Sequence, residues 1–282
     1  MTERSLFVEG VAFWAPGLPD WDCAKAVFRG ERAPGPTDNR LPTATLLTAS
    51  ERRRAPETVA LALEAAHMAV AASGRQANDL LAVFVSAHGD LPIIDFICAT
   101  LACDPLQVSP TKFLHSIHNA PAGLWSMVGG GWQPNTTLTA FDRSFAAGLL
   151  EAAVQCNAEE QAVLLVGYDT AATGVLTEAM APCDALAVAL VLAPERSARS
   201  THRLGWALHG TERSPTPPLS AAARALANNG MADALPLFEA LAALAPVCVT
   251  LAQSPQQTLQ LTIEPLSATP AATRVEAVQC EK

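Results

Sequence analysis

Charged residues are scarce in this chain, and basic residues are scarcer than acidic ones. Only 16% of the 282 residues are charged, with 18 Lys and Arg against 27 Asp and Glu, which gives a formal net charge of −9. A surface that binds nucleic acid needs clustered Lys and Arg to neutralise phosphates. The charge balance therefore argues against nucleic acid as a partner.

The sequence also lacks long apolar runs and paired cysteines. No stretch of 18 or more apolar residues occurs, and the first residues lack the apolar run of a signal peptide, so neither a transmembrane helix nor a leader is predicted. No C-x-x-C pair occurs among the seven cysteines, which are Cys23, Cys98, Cys103, Cys156, Cys183, Cys248 and Cys280. Scattered cysteines of odd number favour reduced thiols in the cytoplasm over a disulfide framework or a metal site.

The common nucleotide-binding and hydrolase motifs are absent as well. The sequence contains no G-x-S-x-G, no G-x-x-x-x-G-K-[ST] and no G-x-G-x-x-G. The glycine run 129–131 follows a predicted helix and precedes a Trp, which favours a tight turn over a phosphate-binding loop. No cofactor is predicted.

Apolar residues, in contrast, are abundant, and their pattern predicts an α/β fold. They make up 50% of the chain, enough for a large core. Continuous apolar runs are typical of strands covered on both faces, and the runs alternate with helical segments, as in a layered fold with a central sheet. The predicted strands of this region are 80–86, 136–141, 162–168 and 185–192. The predicted helices are 92–103 and 144–157, the second with Ser144 as its N-cap.

The flanking regions complete the predicted organisation. A strand at 5–13, a helix at 20–29, an irregular stretch at 30–47 and a helix at 56–72 ending at Gly74 come first. A proline-rich loop at 211–218 follows a strand at 203–209, and then come helices at 219–228 and 232–245 and strands at 247–253 and 258–264. We interpret 1–195 as one domain, 196–266 as a reduced C-terminal part packed on the same core, and 267–282 as a frayed tail.

The segment 109–148 carries the clearest motifs. Asn119, Ala122 and Gly123 form an Asn-x-x-Ala-Gly motif, and Gly130 and Pro134 form a Gly-x-x-x-Pro stretch. A strand, the residues T-A-F-D-R-S and a helix follow. This order resembles the central segment of β-ketoacyl-acyl-carrier-protein synthases, where the strand leads into the nucleophile elbow Ala-Cys-Ser/Thr-Ser. The resemblance implies a thiolase-like layered α-β-α fold, here with a truncated C-terminal repeat.

Asp142 stands where the resemblance places the nucleophilic cysteine, and Ser144 falls on the serine two residues later. A carboxylate cannot form the acyl thioester that the thiolate of a synthase forms. We interpret Asp142 first as a helix cap, with a residual role in decarboxylation or another catalytic use as alternatives. The two family histidines also lack counterparts. His209 could match the first of them only by chance, because it ends a strand too early in the fold, and nothing matches the second. No catalytic residue is therefore expected.

Two segments resemble those of a short subgroup of ketosynthase-like proteins of aryl-polyene-type pathways, which are regarded as chain-length factors. The segments are H-N-A-P-A-G-L-W-S and S-F-A-A-G-L-L-E-A. The resemblance implies a non-catalytic subunit that pairs with a catalytic β-ketoacyl-ACP synthase and shapes its acyl tunnel. An acyl carrier protein would dock through that partner, because both it and this chain are acidic. The alternatives are a malonyl-ACP decarboxylase, an acyl-thioester hydrolase and an acyl-binding homodimer.

Side chains near the predicted subunit seam are the candidate tunnel and interface residues. His115 and His118 lie three apart without a third ligand nearby, so they are interpreted as structural or interface residues, with tunnel lining and catalysis as alternatives. The full candidate set is Phe113, Leu114, His115, His118, Asn119, Trp125, Met127, Phe141, Asp142 and Ser144.

Overall fold

One eight-stranded sheet forms the centre of the molecule. The computed structural model describes residues 4–37, 40–210 and 214–266. The strands lie side by side in the order β3-β2-β4-β5-β1-β6-β8-β7. Their bounds are β1 Arg4–Trp14, β2 Leu81–Val85, β3 Asn135–Leu138, β4 Val163–Asp169, β5 Leu186–Ala193, β6 His202–Gly210, β7 Val247–Ser254 and β8 Gln257–Pro265.

The sheet is mixed, and its two halves differ in strand direction. Strand β2 runs parallel to both β3 and β4. All the other neighbouring pairs, from β4–β5 to β8–β7, are antiparallel. Parallel neighbours need long crossover connections, which here contain helices, whereas β7 and β8 are joined by a short turn.

Helices cover both faces of the sheet. Their bounds are α1 Trp21–Phe28, α2 Ala49–Arg52, α3 Glu57–Ser73, α4 Leu91–Cys103, α5 Pro110–His115, α6 Ala120–Val128, α7 Ser144–Ala158, α8 Ala221–Ala225 and α9 Leu235–Ala242. Helices α1, α7 and α9 pack on one face, and α3 and α6 pack on the other. The predicted layered α-β-α architecture is confirmed.

Alternation of side chains along each strand generates two cores. On β2, Val83 and Val85 point into the core beneath α7, whereas Phe84 points into the core beneath α3. Both sets are buried, which is why the strand is a continuous apolar run in the sequence. The separate cores follow directly from the two-residue period of a strand.

Helix α3 begins and ends within one residue of its predicted bounds, at Glu57 and Ser73. Pro56 precedes the first helical residue, Glu57, which favours the positive end of the helix dipole. Gly74 adopts the left-handed conformation, with φ 65°, and ends the helix. Residues on all sides of α3 are buried because it packs on the sheet and on α6.

Several predicted boundaries were wrong. Strand β3 ends at Leu138 rather than at 141, because 141–143 form a 3₁₀ turn instead. The predicted helices 219–228 and 232–245 shorten to α8, a 3₁₀ turn at 232–234 and α9. Residues 211–213 of the predicted loop and the whole predicted tail 267–282 lie outside the described residues.

Candidate functional site

A sharp turn connects β3 to α7 and carries the residues that the sequence singled out. Phe141, Asp142 and Arg143 form one turn of 3₁₀ helix, and α7 starts at Ser144. Phe141 has φ 56°, a left-handed conformation that is uncommon for a bulky side chain. Phe141 is 68% exposed. The centroid of its ring lies 5.3 Å from the centroid of the His88 ring, and the two rings meet edge to face. The apex of the turn therefore presents a phenyl ring.

Asp142 points outward from the turn and does not cap α7. Its side chain is 71% exposed, and its carboxylate forms a loose ion pair with Arg143, with 3.6 Å between Oδ1 and Nε. The N-cap residue of α7, Arg143, forms no side-chain hydrogen bond to the first amides of the helix either. The interpretation of Asp142 as a helix cap was wrong, because its carboxylate is mostly exposed and pairs with Arg143 instead of with the first amides of α7.

Ser144 closes the turn instead of capping the helix. Its buried hydroxyl accepts a hydrogen bond from the Ala140 amide at 2.9 Å and donates one to the Phe141 carbonyl at 2.8 Å. The predicted N-cap role of Ser144 was therefore wrong, since Ser144 is already the first helical residue. The hydroxyl fixes the two ends of the turn relative to each other.

The residue that does cap α7 is Asp233, which sequence reasoning missed. Its Oδ2 accepts a hydrogen bond of 2.9 Å from the Ala146 amide, the third of the helix. Its Oδ1 is buried without a hydrogen-bond partner. Burial raises the pKa of Asp233 to about 7, the helix amides oppose this rise, and the charge of Asp142 adds to it. A single Asp, 87 residues from its partner amide, gives no local signal in the sequence.

A second buried carboxylate joins the ends of β2 and β4. Asp169 accepts hydrogen bonds from the Ser86 hydroxyl at 2.7 Å, from the Ala87 amide at 2.8 Å and from the His88 amide at 3.2 Å. Burial raises the pKa of Asp169 above its ordinary range, and these hydrogen bonds oppose that rise. Asp169 therefore fixes the loop that holds His88 against the Phe141 ring.

The segment 229–233 binds to this network from the C-terminal part of the chain. Asn229 donates hydrogen bonds to the backbone carbonyls of Asp184, at 2.7 Å, and Asp169, at 3.3 Å. A Cβ at Gly230 would lie 2.6 Å from the Asp169 carboxylate, so only glycine fits. The segment thus passes from the end of β4 to the start of α7, where Asp233 lies.

The two candidate histidines lie in different surroundings. His115 ends α5 and lines a small cavity of about 230 Å³ with Leu47, Arg54 and Leu124. His118 follows α5, and its Nε2 atom is buried without a hydrogen-bond partner. Within the part of the chain that the structure describes, no group of three or more His, Cys, Asp or Glu side chains could hold a metal ion.

The remaining candidates divide into exposed and buried residues. Phe113, Leu114 and Met127 are all more than half exposed, and Asn119 is exposed at the start of α6. Trp125 is only 2% exposed and packs in the core next to the glycines at 129 and 131. Trp125 therefore belongs to the interior, whereas Phe113, Leu114 and Met127 lie at the surface.

The sequence matches the model of the β-ketoacyl synthase N-terminal domain over residues 28–239. This match covers most of the chain, including the turn and both buried carboxylates. The chain belongs to the β-ketoacyl synthase family. No protein of curated function matches it.

Solved structures of ketosynthases share the fold of this β-ketoacyl synthase family member. The ketosynthase ApeO in complex with its chain length factor ApeC from Xenorhabdus doucetiae matches at 21% identity and a TM-score of 0.69, over 92% of this chain and 99% of that one. The ishigamide ketosynthase/chain length factor matches at 13% identity and 0.65, over 93% and 100%. AntDE:AntF, a type II PKS acyl-carrier protein in complex with its ketosynthase, matches at 14% and 0.71, over 94% and 100%. The predicted thiolase-like fold is confirmed.

The chemistry available at the turn of this β-ketoacyl synthase family member is limited. None of the described cysteines lies in the turn, and the carboxylate of Asp142 takes the place that the resemblance gives to a thiol. Acyl transfer through a thioester needs a thiolate at that place.

Within the described residues, no helix is long and apolar enough to cross a membrane.

Proposed function

We propose that this chain is a non-catalytic subunit of the chain-length-factor type. It pairs with a catalytic β-ketoacyl-ACP synthase and shapes the tunnel that holds the growing acyl chain. The observation that carries the proposal is a set of exposed large apolar side chains on the segment 96–132 and at the apex of the turn, which we call the open face. Its members are Phe96, Leu101, Leu106, Phe113, Leu114, Ile117, Met127, Trp132 and Phe141.

The open face has the composition of a protein interface. Most of the exposed large apolar side chains among the described residues belong to it, and several are aromatic. Monomeric proteins rarely expose apolar side chains at this density, and aromatic residues and Met are enriched at the centres of interfaces. Helix α4 supports this interpretation, because of its thirteen residues only Leu91 and Ile93 are buried.

The neighbouring edge of the sheet supports the same proposal. Among the described strands, β3 is the first of the sheet and pairs only with β2. Edge strands with free backbone groups pair readily with another chain. The turn with Phe141 follows β3 directly, so a subunit docked here would meet that ring at the seam.

The family and its solved structures support the proposed class of partner. Two of the similar structures are complexes of a ketosynthase with a chain length factor. Because this chain lacks a thiol in the turn, the partner must supply the nucleophile. The net charge of −9 favours docking of an acidic carrier protein on that partner.

Further parts of the proposal concern location and domain organisation. We place the chain in the cytoplasm with its partner, and we assign 1–195 as the ketosynthase-like domain. Residues 196–266 act as a reduced C-terminal part that completes the sheet and reaches the turn through Asp233.

Coexpression tests the proposal. The chain is produced with the ketosynthases of its native cell, and captured proteins are identified by mass spectrometry. We expect a one-to-one complex with a ketosynthase that carries Cys and two His, and carbon dioxide release from malonyl-carrier protein by this chain alone at the level of the blank. A stable lone monomer, or a homodimer that retains acyl chains, would contradict the proposal.

A further inference from the structure

A carboxyl group from a distant part of the chain already lies at the N-terminus of helix α7. The first amides of a helix attract anions, and a side chain that caps a helix bonds to its second or third amide. Asp233 binds the third amide of α7, that of Ala146, at 2.9 Å. It does so from the 3₁₀ turn at 232–234, which lies in the connection between β6 and β7.

We propose that Asp233 is a built-in counter-charge that prevents the turn from activating any nucleophile at position 142. In this fold, a thiol at the turn would depend on the dipole of α7 to stabilise its thiolate. The carboxylate of Asp233 already interacts with that end of the dipole through the Ala146 amide. The proposal concerns the chain alone, so it stands or falls independently of the partner.

The charge of Asp233 is not compensated by a cation among the described residues that act on it. Asp142 is the charged side chain that acts on it from the turn, and Asp142 pairs with Arg143. Strand β7 contributes no charged residue, and Glu239 of α9 accepts hydrogen bonds from the amides of Leu219 and Ser220. The backbone amides of α7 are thus the main stabilising partners of this carboxylate.

The position of Asp233 is fixed by neighbours that are themselves tightly held. Two residues earlier, the Met231 amide donates to the Asn229 side chain at 2.8 Å, and Met231 is fully buried. Asn229 binds the carbonyl of Asp169 at the end of β4 and the carbonyl of Asp184 just before β5. The counter-charge therefore cannot leave α7 without disrupting this segment.

The test introduces a thiol at the turn and measures its pKa. Asp142→Cys is compared with Asp142→Cys/Asp233→Asn, and the alkylation rate of the introduced thiol by iodoacetamide is followed against pH by peptide mass spectrometry. We expect the single variant to titrate at or above the ordinary thiol pKa of about 8.5. The double variant should titrate about one unit or more lower, as thiols at helix N-termini do.

A matched control removes a carboxylate from the opposite end of the same helix. Glu159 is the C-cap of α7, about 20 Å from the turn by helix length. Asp142→Cys/Glu159→Gln changes the net charge equally and should leave the pKa of the introduced thiol where it is in the single variant. Equal thiol pKa values in the Asp233→Asn and Asp233 backgrounds would overturn the proposal.

A second measurement remains decisive if the double variant does not fold. Carbon-13 NMR of the Asp233 carboxyl in the unaltered chain reports its ionisation directly. We expect Asp233 to be a carboxylate above neutral pH, where thiols titrate. A carboxyl that stays protonated through about pH 9, beyond the ordinary thiol pKa, would be a neutral cap, carry no counter-charge and overturn the proposal.

Discussion

The two edges of the sheet differ in the hydrogen bonds that the outer side of the edge strand forms with the rest of the chain. At the β7 edge, Thr216 donates its amide to the Thr250 carbonyl at 2.8 Å, and its hydroxyl accepts from the Thr250 amide at 2.9 Å. At the β3 edge, no described residue forms a comparable bond on the outer side. One edge is covered within the chain, and the other is open among the described residues, as an edge that could pair with a second chain would be.

The apolar surface follows the same division. The half of the sheet with β3, β2 and α4–α6 carries the open face, whereas the half with β1, β6, β8 and β7 has its large apolar residues mostly inside. We refer to these as the open half and the covered half. Under the proposed function, the covered half supplies stability and the open half supplies the interface.

Charges on the open face test this division most strongly. Phe113→Glu/Leu114→Glu should abolish capture of the ketosynthase, with affinity reduced at least about a hundredfold, because buried unpaired charges disfavour association. Both residues are exposed, so the free energy of unfolding should hardly change. Affinity is measured by calorimetry, and unfolding is measured with urea.

Leu244 provides the matched control. It is 79% exposed in the covered half, beyond α9. Leu244→Glu should leave capture intact. If it weakened capture as much as the double variant, the interface would not be confined to the open half.

A buried ion pair tests the stability of the covered half. Glu9 on β1 is 2% exposed, and its carboxylate accepts hydrogen bonds from Arg75 and Ser197. Arg75→Ala leaves this charge with one partner and should lower the free energy of unfolding by about 3–5 kcal/mol. Urea denaturation measures the change.

Arg203→Ala is the comparison for that experiment. Arg203 pairs with Glu264 at 3.2 Å, and both side chains are about a third exposed or more. Its loss should change the free energy of unfolding by only about 0–1 kcal/mol. Equal losses for the two variants would mean that burial of Glu9 does not determine the effect.

The pH dependence of stability tests the connection between the halves. The folded Asp233 has its pKa raised from an ordinary 3.8 to about 7, so between these values the folded state binds more protons than the unfolded state. Stability should therefore decrease as pH rises through this window, by about 2–4 kcal/mol from this group. Unfolding measured near the two ends of this window gives the decrease.

Asp233→Asn should reduce this pH dependence. Asp169, whose pKa is also raised by burial, contributes a decrease of the same sign, whereas His202, whose pKa is lowered by burial, contributes an increase. If the two proteins had identical slopes of stability against pH across this window, the carboxyl of Asp233 would not be the titrating group.

The smallest expected effect concerns the covered edge. Thr216→Val keeps the amide of residue 216 and removes the hydroxyl that accepts from the Thr250 amide. The free energy of unfolding should fall by about 1 kcal/mol. Ser214→Ala, in the same loop, is the control and should have no comparable effect, and hydrogen exchange at the Thr250 amide should rise only in Thr216→Val.

The layered fold could be predicted from the sequence because its strands are apolar on both faces and its long helix has clear ends. The run 80–86 and the glycine after α3 were predictable from local pattern alone. Boundaries failed where tertiary contacts decide the structure. Strand β3 stops early because the chain turns at Phe141, a residue type that local propensity does not place in a left-handed turn.

The composition of the site was less predictable than its location. The segment around Asp142 could be found from its motifs, but the roles given to Asp142 and Ser144 followed from sequence adjacency. The capping carboxylate comes from Asp233, which only the folded chain brings to Ala146. A helix N-terminus can be capped from any element that reaches it, and sequence distance carries no information about this.

The open face also affects the abundance of the protein in a cell. Each copy that has no partner displays Leu106, Met127 and Trp132 to the surrounding solution. Exposed apolar residues of this kind bind chaperones and promote aggregation. Under the proposed function, the abundance of the ketosynthase would limit how much of this chain survives, and balanced synthesis of the two subunits would be needed to keep either from being wasted.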